Sequence, residues 1–208
     1  TRLTKIFRQG EGSGIIRAAH AVNAGVMPEL SSGAADGTRD FYWIEKEDPD
    51  AAADVIVRMM TERIPARFGF DPVRDIQLLC PMNRGADGTV EMNRNLQELL
   101  NPGEKPSFSF GERRFKVGDK IMQTANNYDK NLFNGDTGFI ADIDEEARTF
   151  TADFDGMRAD YSFDDADQIT LAYAVTVHKS QGSEYPAVLM PLLPHHFMML
   201  QRNLLYTG

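Results

Sequence analysis

Thr176-Val-His-Lys-Ser-Gln-Gly-Ser-Glu184 stands between two apolar runs, Ile169 to Val175 and Ala187 to Leu193. Threonine, histidine, lysine, glutamine and glutamate crowd into nine residues between stretches that read as core. Short apolar runs of this kind are buried strands or buried helix segments, so the polar row is displayed from a rigid frame. That is a binding edge. A second feature is an absence: no G-x-x-x-x-G-K-[ST] occurs in these residues, and without it nothing here cradles nucleotide phosphates in a P-loop. Thr176 to Glu184 therefore does half of a job.

The chain has 208 residues, 42% of them hydrophobic and 25% charged, enough for a real core and one large or two small domains. No apolar run approaches the ~20 residues that span a bilayer, and Thr-Arg-Leu-Thr-Lys at the start lacks the apolar core of a signal peptide. The single cysteine, Cys80, excludes an internal disulfide and fits a reducing cytoplasm. It ends the apolar run Ile76-Gln-Leu-Leu-Cys80, which favours a buried core thiol over a reactive one.

Net charge is −9, and residues 136–167 account for all of it, with eleven acids against Arg148 and Arg158. Just upstream, Arg113, Arg114, Lys116, Lys120 and Lys130 outnumber Glu112, Asp119 and Asp129. A polarised surface is implied. The acidic part reads either as a solvated face that aids solubility or as one that repels DNA or meets a basic partner.

Ser13 is an N-cap for a helix over 14–24, with Gly25 at the C′ position. Ser31 to Asp40 reads as a loop before an aromatic strand, Phe41-Tyr-Trp-Ile44. Asp48 with Pro49 at N1 opens a second helix to about Arg63, whose methionines Met59 and Met60 face the core. Ile76 to Cys80 is a short buried strand; the loop Pro81 to Gly88 and a helix from about Val90 to Leu100 follow, stopped by Asn101-Pro-Gly103.

From Ser107 to about Asp165 the period changes to short alternating runs: Ser107–Phe110, Lys120–Thr124, Gly138–Asp142, Thr149–Phe154 and Met157–Phe163. Asp155-Gly156 between two of them is a strong hairpin signal. Such a series predicts a small antiparallel barrel, and the return of α/β-like sequence after Gln168 makes it an insertion. The boundaries fall at 1–106, 107–166 and 167–208. Phe110, Phe139, Phe150, Phe154 and Tyr161 are the expected barrel core, whereas Tyr128 and Phe133, in a polar loop, are candidates for base stacking.

Taken in order, Leu3 to Gln9, Leu79 to Gly85 with Gly88, Asn93 to Gln97 with Leu100-Asn-Pro102, Phe115 to Lys120 with Asn134 to Gly138, Thr176 to Glu184, and Asn203 to Thr207 resemble the C-terminal half of a RecD/TraA-type superfamily 1 DNA helicase. The resemblance covers nearly the whole chain. It implies an α/β fold: the second RecA-like (P-loop NTPase-like) motor domain, with an inserted Src-homology-3-like β-barrel. In such helicases two RecA-like domains sandwich ATP and Mg²⁺ while single-stranded DNA runs across both. The phosphate loop and magnesium-binding acids belong to the first domain, and the family continues past Tyr206-Thr-Gly208 into a second arginine motif, so a fragment is expected, inactive alone. The other expected partners are single-stranded DNA, the first RecA-like domain of the same polypeptide and, at the family's widest, recombination or nuclease subunits; 5′ to 3′ movement is likewise implied by the resemblance.

The same resemblance assigns residues. Arg8 matches the arginine that stabilises charge on the transferred phosphoryl group, with Gln9 beside it on the nucleotide side; a surface arginine is the bland alternative. Thr176, His178 and Lys179 are placed on the DNA backbone, and Gly182 and Glu184 toward ATP. If Ala174 to Gln181 is a short helix, Thr176 and Lys179 share a face. His178 as a satisfied core histidine and Glu184 as a structural ion pair remain open. Asn83 and Arg84 follow a strand, where α/β sheets bind ligands, and are expected at DNA. The charge asymmetry adds Arg114, Lys116 and Lys120 as a basic side facing DNA. The competing class is a non-catalytic nucleic-acid- or protein-binding module that kept the fold without the motor.

Overall fold

A computed structural model describes residues 13–30 and 40–208. Helix α1, Gly14–Ala24, begins where the Ser13 hydroxyl accepts from the Ile16 N–H, and it ends at Gly25, whose φ of 75° lets its N–H reach the last carbonyls. Asp48 caps α2, Pro49–Arg58, accepting from the Ala51 N–H at 2.8 Å. The predicted continuation to Arg63 is not plain α-helix. Met59–Arg63 form a π-turn, and α3, Ile64–Phe68, resumes with Pro65 in its first turn. Proline cannot donate to the carbonyl four residues back and clashes with it, and widening the preceding turn removes both problems.

The aromatic strand predicted at Phe41 to Ile44 is absent. Those residues have no regular structure; Tyr42, Trp43 and Ile44 are exposed, and no strand among the described residues pairs with them.

Strand β1, Ile76–Cys80, is buried along its whole length. Helix α4, Thr89–Leu100, follows and buries Met92, Asn93, Leu96 and Gln97. The chain then enters an antiparallel region before returning to β1. It comprises β2 (Ser107–Phe110), β3 (Arg113–Lys116), β4 (Lys120–Gln123), β5 (Thr137–Asp144), β6 (Thr149–Phe154), β7 (Met157–Ser162) and β8 (Ile169–Leu171). Strand β3 was missing from the sequence-based expectation. β2 and β3 form a two-stranded ladder, and the rest a five-stranded sheet in the order β7-β6-β5-β4-β8. The sheet thus takes in Ile169–Leu171, where Leu171 pairs with Ile121. Asp155 and Gly156 turn the β6–β7 hairpin with φ of 51° and 88°, the positive pair that a two-residue turn requires.

Aromatic rings join the two ladders. Phe108 stacks on Phe115, Phe150 and Phe163 at centroid distances of 5.3, 5.0 and 4.2 Å, and Phe150 stacks on Tyr161 at 4.9 Å. Phe154 is buried with them, while Phe110 and Phe139 are only half-buried.

After β8 come β9 (Ala174–Thr176), β10 (Ala187–Leu189) and α5 (Arg202–Thr207). β1 lies between β10 and β9 and is parallel to both. Buried polar side chains fasten the parallel and antiparallel parts together. Gln77 donates to the carbonyls of Leu78, Ala172 and Tyr173, and Asp119 accepts from Gln97 and Asn101 of α4 and from Tyr173. Among the described residues no helix is long and apolar enough to cross a membrane.

Candidate nucleic-acid and nucleotide interface

The register of the parallel sheet builds the site. Leu78, Leu79 and Cys80 pair with Ala174, Val175 and Thr176, so β1 and β9 end side by side. The loop after β1 carries Asn83 and Arg84, and the segment after β9 carries His178 to Glu184. Both leave the sheet at its carboxyl end, where open parallel sheets bind ligands. Sequence reading expected Asn83 and Arg84 at DNA together with Thr176, His178 and Lys179, with Gly182 and Glu184 toward ATP; the topology brings the two segments to one edge.

The helix considered for Ala174 to Gln181 is not there. Ala174 to Thr176 is strand, held in the sheet and clamped by Asn93, whose side chain donates to the Ala174 carbonyl at 2.8 Å and accepts from its N–H at 2.9 Å. Only Val177–Ser180 turns, as 3₁₀-helix, with Gly182 beyond it at φ 90°. Because Thr176 has extended backbone, the helical face considered for Thr176 and Lys179 does not form. Val177 and Ser180 are buried, and the Ser180 hydroxyl donates to the Val177 carbonyl at 2.8 Å. His178, Lys179, Gln181 and Glu184 are exposed and Thr176 is half-buried, which excludes a core role for His178. The two buried side chains anchor the turn and the polar ones project.

The Asn83–Arg84 loop is equally constrained. The Thr89 hydroxyl donates to Asn83 Oδ1 at 2.9 Å, and the Thr89 and Val90 N–H groups bond the carbonyls of Met82 and Asn83. A Cβ on Gly88 would stand 2.6 Å from the Arg84 carbonyl oxygen, so only glycine fits there. Arg84 is exposed.

The basic run does not form the expected surface. Arg114 is exposed, its guanidinium donating to Ser107 Oγ at 3.1 Å. Lys116 and Lys120, by contrast, are only 9% and 4% exposed. Lys120 donates from Nζ to the Val73 carbonyl at 2.7 Å and to Gln77 Oε1 at 3.1 Å. Burial pushes its pKa down to about 8, opposed by the charges of Asp71 and Asp75. A lysine whose ammonium is spent on interior carbonyls is not a phosphate contact, which corrects the expectation for Lys120; for Lys116 the correction rests on its burial alone. Arg113 is likewise engaged, donating to the Ile169 carbonyl at 2.6 Å. Arg8 and Gln9 lie outside the described residues. The Cys80 thiol is fully buried and held well above its usual pKa, first by burial and then by Asp87, as an inert core thiol should be.

Sequence reading missed Asp87, His195 and His196. Asp87 and His196 are 0% and 1% exposed in their side chains; His195 Nε2 lies 3.2 Å from Asp87 Oδ1, and His196 Nε2 lies 2.9 Å from Oδ2, off the line of a straight hydrogen bond. Their nitrogen and oxygen atoms are close enough together to hold a metal ion. However, the Leu193 N–H donates to His196 Nδ1 at 3.1 Å, which puts the ring proton on Nε2, facing Asp87. That arrangement is an imidazole–carboxylate pair, and burial holds His196 below its ordinary pKa. It ties the Asn83–Arg84 loop to the segment before α5. No spacing rule links residues more than a hundred positions apart, so no sequence signal could have found it.

Two stretches of the chain match helicase family models: residues 92–154 the ATP-dependent RecD-like DNA helicase SH3 domain, and residues 171–208 the UvrD-like helicase C-terminal domain. More particularly, the chain is a homologue of RecD-type helicases. It is 35% identical to the ATP-dependent RecD2 DNA helicase of Deinococcus radiodurans over 207 residues, covering 100% of this chain and 27% of that protein. It is 30% identical to the RecBCD enzyme subunit RecD of Mycolicibacterium smegmatis, covering 97% of this chain and 36% of that one. The chain therefore spans only about a quarter to a third of these curated relatives. A crystal structure of Pif1 helicase from Bacteroides in complex with ADP-AlF3 and single-stranded DNA has the same fold, with a TM-score of 0.55 at 17% identity over 98% of this chain and 48% of that one.

Proposed function

We propose that this chain is the C-terminal motor-domain portion of an ATP-dependent DNA helicase that moves 5′ to 3′ on single-stranded DNA. The observation that carries the reading is the pairing of β9 with β1. It sets Thr176, His178 and Lys179 beside Asn83 and Arg84 at one sheet edge, in a chain related over its length to RecD2. In this reading the first group grips the phosphodiester backbone. Gly182 and Glu184, further along the same segment, face ATP and Mg²⁺ together with Arg8 and Gln9. The antiparallel strands are a Src-homology-3-like barrel inserted in the RecA-like domain. The first RecA-like domain of the same polypeptide supplies the phosphate loop, so residues 1–208 alone do not hydrolyse ATP. Arg114 stays a peripheral DNA contact, and recombination or nuclease subunits stay candidate partners.

Salt-titrated anisotropy with a labelled oligonucleotide tests the grip. Each phosphate neutralised on single-stranded DNA adds about 0.7 to the slope of log K against log salt. Lys179→Ala is expected to weaken binding and lower the slope by about that amount. An unchanged slope removes Lys179 from the backbone contact.

A further inference from the structure

With Lys116 and Lys120 buried, the exposed basic residues of the antiparallel part are Arg114, Arg148 and Arg158. The loop between β4 and β5 displays aromatic rings. Tyr128 is 76% exposed and Phe133 44%, and their rings meet edge to face at 6.2 Å. We infer that Tyr128 and Phe133 form a stacking platform for unpaired nucleobases of single-stranded DNA, adding affinity that is independent of salt. The inference rests on the DNA-binding reading above.

Three observations carry it. First, the loop is built to hold the rings outward. Asn127 and Leu132 exchange backbone hydrogen bonds of 2.7 and 2.9 Å, and Leu132, fully buried, pins the loop to the core. The Asn127 side chain accepts from the Lys130 N–H and donates to Gln168; Asp136 accepts from the Phe133 N–H at 2.7 Å, and Asn126 from the Asn134 N–H at 2.9 Å. Two large rings kept in water by this many bonds are preorganised for a partner. Second, a shallow, open depression lies beside Tyr128, lined by Asn126, Asn127, Asp129 and Gln168.

Third, the surroundings suit a base and not a phosphate. From Thr124 to Asp136 the one basic residue is Lys130, against the acids Asp129 and Asp136. Lys130 is itself engaged: its ammonium donates to the Asp160 carbonyl and lies 4.7 Å from the Tyr161 ring centroid. A neutral, polarisable base face can approach such a site where a phosphate is repelled. Every base offers a π-face, so stacking of this kind tolerates any sequence.

Binding of the chain to a thymidine oligonucleotide, and to the same oligonucleotide with abasic sites, separates stacking from charge. Tyr128→Ala and Phe133→Ala should each weaken binding to the intact strand about 10-fold, by the cost of one lost stacked base, with the salt slope unchanged. Tyr128→Trp should restore it. On the abasic strand the alanine variants should bind as the wild type does. The inference is overturned if the alanine variants match wild type on the intact strand, if they lose equally on both strands, if the slope falls, or if a proline-rich peptide and no oligonucleotide competes for the platform. A wild-type chain that binds no single-stranded DNA overturns the broader reading as well; one that binds but ignores base removal overturns only the platform.

Discussion

Replacing Arg8 by alanine, in a protein that joins this chain to the nucleotide-binding half proposed above, is expected to cut DNA-stimulated ATP hydrolysis at least about 10³-fold, the low end for an arginine that stabilises phosphoryl transfer. DNA affinity should hardly move. The split follows from the division of labour. In the proposed reading Arg8 would meet charge that develops only in the transition state, whereas Thr176, His178 and Lys179 would meet phosphates already present in the ground state. Steady-state turnover at saturating ATP and DNA, with DNA affinity measured alongside, reads both quantities. A variant that keeps more than a tenth of wild-type turnover would take Arg8 out of the reaction.

The largest expected effect on stability is at Asp119. This carboxylate is fully buried and accepts from Gln97 Nε2 at 2.5 Å, Asn101 Nδ2 and the Lys116 N–H at 2.7 Å each, and Tyr173 Oη at 3.1 Å. Burial raises its pKa, and the four hydrogen bonds pull against that rise. Asp119→Ala removes the acceptor of all four hydrogen bonds: Gln97 Nε2 and Asn101 Nδ2 keep the carbonyls of Arg114 and Val117, whereas the buried Lys116 N–H and Tyr173 hydroxyl lose their partner, at roughly 1–3 kcal/mol each. A loss of about 2–6 kcal/mol is expected, a large share of the 5–15 kcal/mol that holds a typical domain together. Because the donors come from α4 and its C-cap, the end of β3 and the link between β8 and β9, the parallel and antiparallel parts should loosen together. Asp119→Asn keeps one acceptor oxygen and should lose less. Urea unfolding measures both, and an Asp119→Ala midpoint close to wild type would show that the network is dispensable.

Much of the fold was legible because local chemistry and long-range pairing agree. Ile76 to Cys80 reads as a buried strand and is the centre of the parallel sheet. Asp155-Gly156 reads as a two-residue turn and is one. The polar row after Thr176 reads as displayed, and the burial of Val177 and Ser180 beneath it is how the display is achieved. Where reading failed, a longer-range term won. Phe41 to Ile44 has strand-forming residues, yet no strand among the described residues pairs with it. Ala174 to Thr176 is too short for periodicity to separate strand from helix, and pairing with β1 settles it. Counting charges placed Lys116 and Lys120 on a surface, yet all four residues of Lys120–Gln123 are buried, and a long side chain there reaches interior carbonyls that only the folded chain supplies. Asp87 finds His195 and His196 across the whole length of two intervening sheets, with no pattern to announce it.

The central claim is that two loops leaving adjacent parallel strands form the grip on DNA. Photo-crosslinking of the chain to a thymidine-rich single strand, with the adducts mapped by mass spectrometry, tests it most directly. Adducts are expected in the peptides that carry Asn83–Arg84 and Thr176–Glu184. Adducts confined to the acidic hairpins between Asp142 and Asp160, or none in either loop, would contradict it.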